Sequence, residues 1–119
     1  MSLNISLIDK KTTDFSGRVV RIGNEVNTHL NVTHNLTQMA DEAGLYKPVW
    51  RPGEAGINKA SQLAPILING LGVLVGNPDH FKQYNPKNGY GSYDSFLVFL
   101  GELLLACLAY PEARLHTSR

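Results

Sequence analysis

The pattern of apolar positions is densest in residues 96–108, where Glu102 is the only charged side chain among thirteen residues. Ser92 is suited to cap the start of a helix there, and Pro111 follows its end near Ala109. The run is shorter than the roughly 20 apolar residues that a bilayer requires. Because a helix that is apolar on nearly all sides is usually enclosed by other elements, the pattern predicts a central helix surrounded by the rest of the fold.

Apolar residues at helical spacing also predict a short early helix. It contains Met39 and Ala40, begins at a cap provided by Thr33 or Asn35, and ends at Gly44.

A longer helix is predicted from either Asn58 or Ser61 to about Gly76. Pro65 is best accommodated in a first turn, which favours the later start. A short helix follows over residues 78–84.

Four stretches have the alternation or the β-branched composition of strands: residues 3–7, 18–22, 26–33 and 113–119. Gly23 and Asn24 predict a tight turn, and polar residues 9–17 predict a loop. Residues 45–53 contain two prolines and are expected to be irregular. Together these elements predict a single α+β domain over residues 1–119, a small mostly antiparallel sheet of three or four strands with about three to four helices packed on one face.

Composition narrows the classes of function. Eleven basic and ten acidic residues give a net charge of +1, with no excess in either half, which argues against nucleic-acid binding. Cys107 is the only cysteine, so no internal disulfide forms, and its apolar neighbours predict an inert thiol. The N-terminus lacks the pattern of a signal peptide, so we expect a cytoplasmic protein without membrane association.

Several short segments together resemble a known group of sequences. They are Thr33-His34-Asn35, Met39-Ala40, Ala43-Gly44-Leu45-Tyr46, Trp50-Arg51-Pro52, Asn85-Pro86, Asn88-Gly89, Gly91-Ser92-Tyr93, Tyr110-Pro111-Glu112-Ala113 and Ser118-Arg119. Their combination is similar to small proteins encoded in bacterial and bacteriophage genomes. The resemblance covers roughly residues 26–119 and rests more on loops than on the core. It implies a compact stand-alone domain from a mobile element, and it implies no catalytic residue.

The loop over residues 85–93 is the richest polar and aromatic cluster, and Asn88, Tyr90 and Tyr93 are candidate binding residues. Its glycines precede a helix N-terminus, where anions bind, but their spacing matches no Walker or dinucleotide motif. The alternative is a rigid connector whose tyrosines pack on neighbouring elements.

Tyr46, Trp50 and Arg51 form a second candidate surface, because these residue types dominate interface hot spots. In the alternative interpretation, Trp50 fills the edge of the core and Arg51 binds a carboxylate or a carbonyl.

His34 and Asn35 are the third candidate, at a predicted strand-to-helix junction, where the histidine either serves a site or holds the junction. No histidine pair has helical ligand spacing and no second cysteine exists, so no metal or cofactor is predicted. There is no Gly-x-Ser-x-Gly nucleophile motif either. Glu102 is either a buried carboxylate with a donor or the mark of a thin exposed stripe.

These observations favour a non-enzymatic binding module for a protein partner, with self-association through strand edges at the termini as a variant. The alternative is a small enzyme or small-molecule-binding domain, with a site where His34, Arg51 and the 85–93 loop converge.

Overall fold

A three-stranded sheet packs against a set of helices. The computed structural model describes the backbone of residues 1–15 and 18–119, and the side chains of residues 1–8 and 30–119. Its strands are β1 (Ser2–Phe15), β2 (Arg18–Thr33) and β3 (Arg114–Ser118). Its helices are α1 (Thr37–Glu42), α2 (Tyr46–Trp50), α3 (Ala60–Gly76), α4 (Pro78–Lys82) and α5 (Tyr93–Ala109). The strands are antiparallel in the order β2-β1-β3, which confirms the predicted α+β class.

β1 and β2 form a long hairpin whose pairing runs from Ser2 opposite Thr33 to Phe15 opposite Arg18. The predicted loop is therefore wrong over residues 9–15, and so is the turn at residues 23–24; residues 16 and 17 lie outside the described part of the chain. The main-chain hydrogen bonds of an antiparallel ladder need no apolar side chains, so polar sequence does not end the strands. Register shifts on either side of Leu7 absorb the extra residues of β2.

β3 pairs with the other side of β1, from Asn4 opposite Ser118 to Ile8 opposite Arg114. The N-terminal strand is thus the centre of the sheet, and the expectation of a free edge there is wrong. The outer edge of β3 is partly covered, because Leu115 N donates to Asn58 O at 3.2 Å. Because β3, the last strand in the chain, pairs with β1, the first strand has a partner on both sides.

The first helical region follows the prediction up to Gly44. Thr33 Oγ1 accepts from Asn35 N at 3.2 Å and caps a 3₁₀ turn that leads into α1. Gly44 follows α1 with a left-handed φ of 74°. The predicted irregular segment is wrong, because Pro48 lies within the first turn of α2, where a missing N–H breaks no helical hydrogen bond.

α3 and α5 are antiparallel neighbours fastened at both ends. At one end, Tyr93 Oη donates to Leu74 O at 2.7 Å; at the other, Ser61 N donates to Pro111 O at 2.8 Å. Pro65 lies inside α3 rather than in its first turn, contrary to the expectation. It is tolerated because Pro65 and Ser61 are exposed, so water can reach the carbonyl that loses its partner.

The core lies between the sheet and the helices. Leu3, Ile5 and Leu7 of β1 are fully buried, as their alternation predicts, and Phe96 and Leu100 of α5 are buried with them.

α5 is not surrounded, however. Val98, Leu105 and Leu108 are 61%, 69% and 56% exposed, so the prediction that other elements surround the helix holds only for its inner side. Glu102 is exposed beside them, which agrees with the exposed-stripe interpretation.

Candidate functional site

Trp50 is a core residue. Its side chain is 1% exposed, stacks on Tyr46 with ring centres 5.9 Å apart, and lies 6.3 Å from the ring of Phe96. The indole Nε1 donates to His34 Nδ1 at 2.9 Å. Because a buried indole N–H requires an acceptor, His34 holds the junction between β2 and α1 by binding a side chain of the core.

Arg51 is held on the surface by its neighbours. Its Nε donates to Tyr46 Oη at 3.1 Å and its Nη1 to Glu54 Oε2 at 3.0 Å. The hydrogen bonds to Tyr46 and then Glu54 raise the pKa of the guanidinium above its usual value. Arg51 borders a depression of about 310 Å³ that Thr117 and Arg119 also line. This matches the interpretation in which Arg51 binds a carboxylate.

Asn35, Asn88 and Tyr90 meet in a different place. They line an open cleft of about 640 Å³ between the start of β1, the end of β2 and the 85–93 loop. The other lining residues are Met1, Ser2, Asn31, Thr33 and Gly91. We call this depression the amide cleft, since three asparagine side chains surround it.

Gly91 brings the loop against the sheet. Its φ is +95°, and a Cβ placed there would lie 2.6 Å from Thr33 Cγ2. Tyr93 is buried and its backbone N donates to Asn85 Oδ1 at 2.7 Å, so it acts as the connector interpretation predicts. Tyr90 differs, because its side chain is 72% exposed at the rim of the cleft.

The predicted convergence of His34, Arg51 and Asn88 does not occur within the described residues. His34 is bonded to Trp50, Arg51 borders one depression, and Asn88 lines another. No described depression is lined by all three side chains.

The sequence analysis missed a surface on α5. Val98 and Leu105 are seven residues apart, so they lie on the same side of the helix two turns apart, with Gly101 and Glu102 between them. Leu108 continues the stripe. The sequence contains the signal as a second apolar stripe at helical spacing, but it predicts an exposed stripe only through Glu102, and no apolar residue of the helix is among the candidates. We call these five residues the α5 face.

Gly101 has nothing within 4 Å of the position that a Cβ would occupy. Packing within the described chain therefore does not require a glycine there, although glycine in a helix interior costs about 1 kcal/mol relative to alanine.

The only charged residue of the α5 face is acidic, Glu102. Asp94 and Glu102 are the only charged residues in α5, and α3 beside it has none. α3 also exposes Ile68 and Val75, at 55% and 62%.

Other chemistry is sparse in the described residues. No group of three His, Cys, Asp or Glu side chains there lies close enough together to hold a metal ion. Cys107 is buried, and desolvation raises the pKa of its thiol to about 11, which disfavours the nucleophilic thiolate. None of the helices described has the length and apolar character needed to span a membrane.

Comparisons with protein-family models, curated proteins and solved structures find no significant match to this chain.

Proposed function

We propose that the chain is a non-enzymatic interaction module that binds a basic amphipathic helix of a partner protein on the α5 face. The observation that carries the proposal is the exposure of Val98, Leu105 and Leu108 on one side of a helix whose other side lies in the core. Contiguous exposed apolar side chains of this kind are typical of docking surfaces.

The apolar side chains supply the driving force. Full burial of one Val or Leu side chain is worth about 1.5–3 kcal/mol, so covering three that are more than half exposed yields roughly 1–2 kcal/mol each. This gain offsets part of the cost of association, which is about 4–15 kcal/mol, for a partner helix that packs side by side on α5.

Gly101 supports a helical occupant. Without a Cβ, the backbone of α5 can be approached closely at the middle of the face, between Val98 and Leu105. A partner helix placed there makes use of the glycine that the fold itself does not need.

The charge of the face favours a partner protein over a second copy. In a symmetric dimer, the same patch meets itself. Pairing α5 with α5 across Gly101 would bring two Glu102 carboxylates together, and like charges in an interface are unfavourable. A partner helix with Lys or Arg near its centre offers Glu102 an opposite charge instead.

The proposed location is the cytoplasm. If the resemblance to bacterial and bacteriophage proteins holds, the partner is a protein of the host cell. The alternative of an enzyme or small-molecule-binding domain around His34, Arg51 and the 85–93 loop has less support, because these groups occupy separate surroundings.

The test is affinity capture with tagged wild type, Leu105→Asp and Val73→Asp. Val73 is also exposed and apolar, but it lies on α3, outside the α5 face. We expect the wild type to capture one stoichiometric partner. Val73→Asp should retain this partner and Leu105→Asp should lose it. A third variant, Glu102→Lys, should capture it more weakly. Equal capture by both aspartate variants, or a wild type that captures nothing, would overturn the proposal. Circular dichroism of each variant checks that it is folded.

A further inference from the structure

We infer that the amide cleft is a binding site for a neutral, polyhydroxylated ligand, a saccharide. The cleft shares no residue with the α5 face, so this site is independent of the partner protein. Its volume of about 640 Å³ lies in the range of small-molecule sites.

Each asparagine side chain of the cleft makes hydrogen bonds at one end of its amide. Asn31 Nδ2 donates to Asn4 Oδ1 at 2.7 Å and to Ser2 Oγ at 2.9 Å. Asn35 Nδ2 donates to Asn88 Oδ1 at 3.4 Å and to Tyr90 O at 3.3 Å. Asn88 Oδ1 also accepts from Tyr90 N at 3.0 Å, which locks the loop to the amide.

The other end of each amide is available to a ligand. Within the described residues, no hydrogen bond reaches Oδ1 of Asn31, Oδ1 of Asn35 or Nδ2 of Asn88. The asparagines that line the cleft therefore keep two acceptors and one donor for a ligand. Sugar hydroxyls both donate and accept, so adjacent hydroxyls on one ring can satisfy both kinds of group.

Tyr90 adds an aromatic face at the rim. Its ring is 72% exposed, while its backbone is fixed by Asn35 and Asn88. An exposed aromatic ring on a fixed backbone offers an apolar plane on which the C–H face of a sugar can lie. In the part of the chain with described side chains, no second aromatic residue lines the cleft, whereas a nucleobase is commonly held by stacking together with charged groups that bind its phosphate.

Among the described residues, no charged side chain lines the cleft, so a neutral polar ligand can bind there without desolvating an ionised side chain.

The experiment uses saturation-transfer NMR with glucose, galactose, mannose, N-acetylglucosamine and adenosine as separate probes. The protein forms are wild type, Tyr90→Ala, Tyr90→Trp and Tyr110→Ala. Tyr110 is a matched control, because it is an exposed tyrosine that does not line the cleft. Side-chain amide signals in ¹⁵N spectra locate the contact.

We expect at least one of the sugars to bind and to shift the amide signals of Asn35 and Asn88. Tyr90→Ala should weaken binding roughly tenfold, while Tyr90→Trp and Tyr110→Ala retain it. Absence of binding by all four sugars would overturn the inference. Preference for adenosine, or sugar binding that Tyr90→Ala leaves unchanged, would also overturn it.

Discussion

The indole Nε1 of Trp50 donates to Nδ1 of His34 at 2.9 Å, so the candidate histidine is the acceptor for a buried donor of the core. Because Trp50 is 1% exposed, water cannot replace that acceptor easily. The bond connects the residue that follows β2 to the last residue of α2.

Removing this acceptor should destabilise the fold. We predict that His34→Ala lowers the free energy of unfolding by about 1–3 kcal/mol, because the indole N–H is left buried and unpaired. Urea denaturation followed by the fluorescence of Trp50, the only tryptophan, measures the change. The control is His116→Ala at an exposed position of β3, expected to change stability by less than about 0.5 kcal/mol. Similar losses in both variants would show that the bond contributes little.

Substitution of Gly101 should change stability and partner binding in opposite directions. We predict that Gly101→Ala raises the free energy of unfolding by about 0.5–1 kcal/mol, because the new methyl group meets open space and alanine favours the helix. The same methyl group should weaken capture of the partner, since it occupies the space that a partner helix needs. Denaturation and affinity capture on the same sample give both values.

A matched variant isolates the effect of helix propensity. Gly72 lies inside α3, and a Cβ there would also have nothing within 4 Å. Gly72→Ala should therefore raise the free energy of unfolding by about as much as Gly101→Ala does. A Gly101→Ala variant that is more stable and binds its partner undiminished would contradict the role of Gly101 in docking.

The loop that forms the amide cleft depends on close approach at Gly91. We predict that Gly91→Ala lowers the free energy of unfolding by more than Gly89→Ala does, by about 1–3 kcal/mol. Both glycines have a positive φ, of 95° and 79°, but only at Gly91 would a Cβ collide, with Thr33 Cγ2. The difference between the two variants in urea denaturation removes the shared backbone strain. Equal losses would show that the contact with Thr33 relaxes freely.

The buried thiol of Cys107 makes the free energy of unfolding depend on pH in the alkaline range. Burial raises the pKa of its thiol from an ordinary value of 9.0 to about 11. Below about pH 8 both states hold the proton and the stabilising contribution is complete; as pH rises toward 11, the unfolded state loses its proton first. The free energy of unfolding should therefore fall across this window, by at most about 3 kcal/mol.

The Cys107→Ala variant isolates that contribution from the other groups that titrate at high pH. Its free energy of unfolding should fall less steeply than that of the wild type between about pH 8.5 and 11. Parallel curves would contradict the assigned cause.

The sequence predicts most helices and the fold class because these follow from local patterns. The spacing of Met39 and Ala40, the cap at Ser92 and the glycine at residue 44 are all signals within a few residues. Strand ends are set by pairing, which is not local: polar residues 9–15 are strand because β2 lies opposite them.

The candidate site was harder to predict for a related reason. The sequence identified Asn35, Asn88 and Tyr90 as candidates, and these residues do line one cleft. For Trp50 it allowed either a surface position or a core position, and only the packing of the folded chain decides between the two. The same holds for α5, since an apolar residue such as Leu105 has the same pattern whether a neighbour covers it or not.

The central claim is that the α5 face contacts another protein. The most direct measurement places a photo-crosslinking amino acid at Leu105 in the tagged chain and, separately, at Val73, and irradiates intact cells. The account predicts a discrete adduct of one partner protein at residue 105 and none at residue 73. Adducts of equal yield at both positions, or none at residue 105, would contradict it.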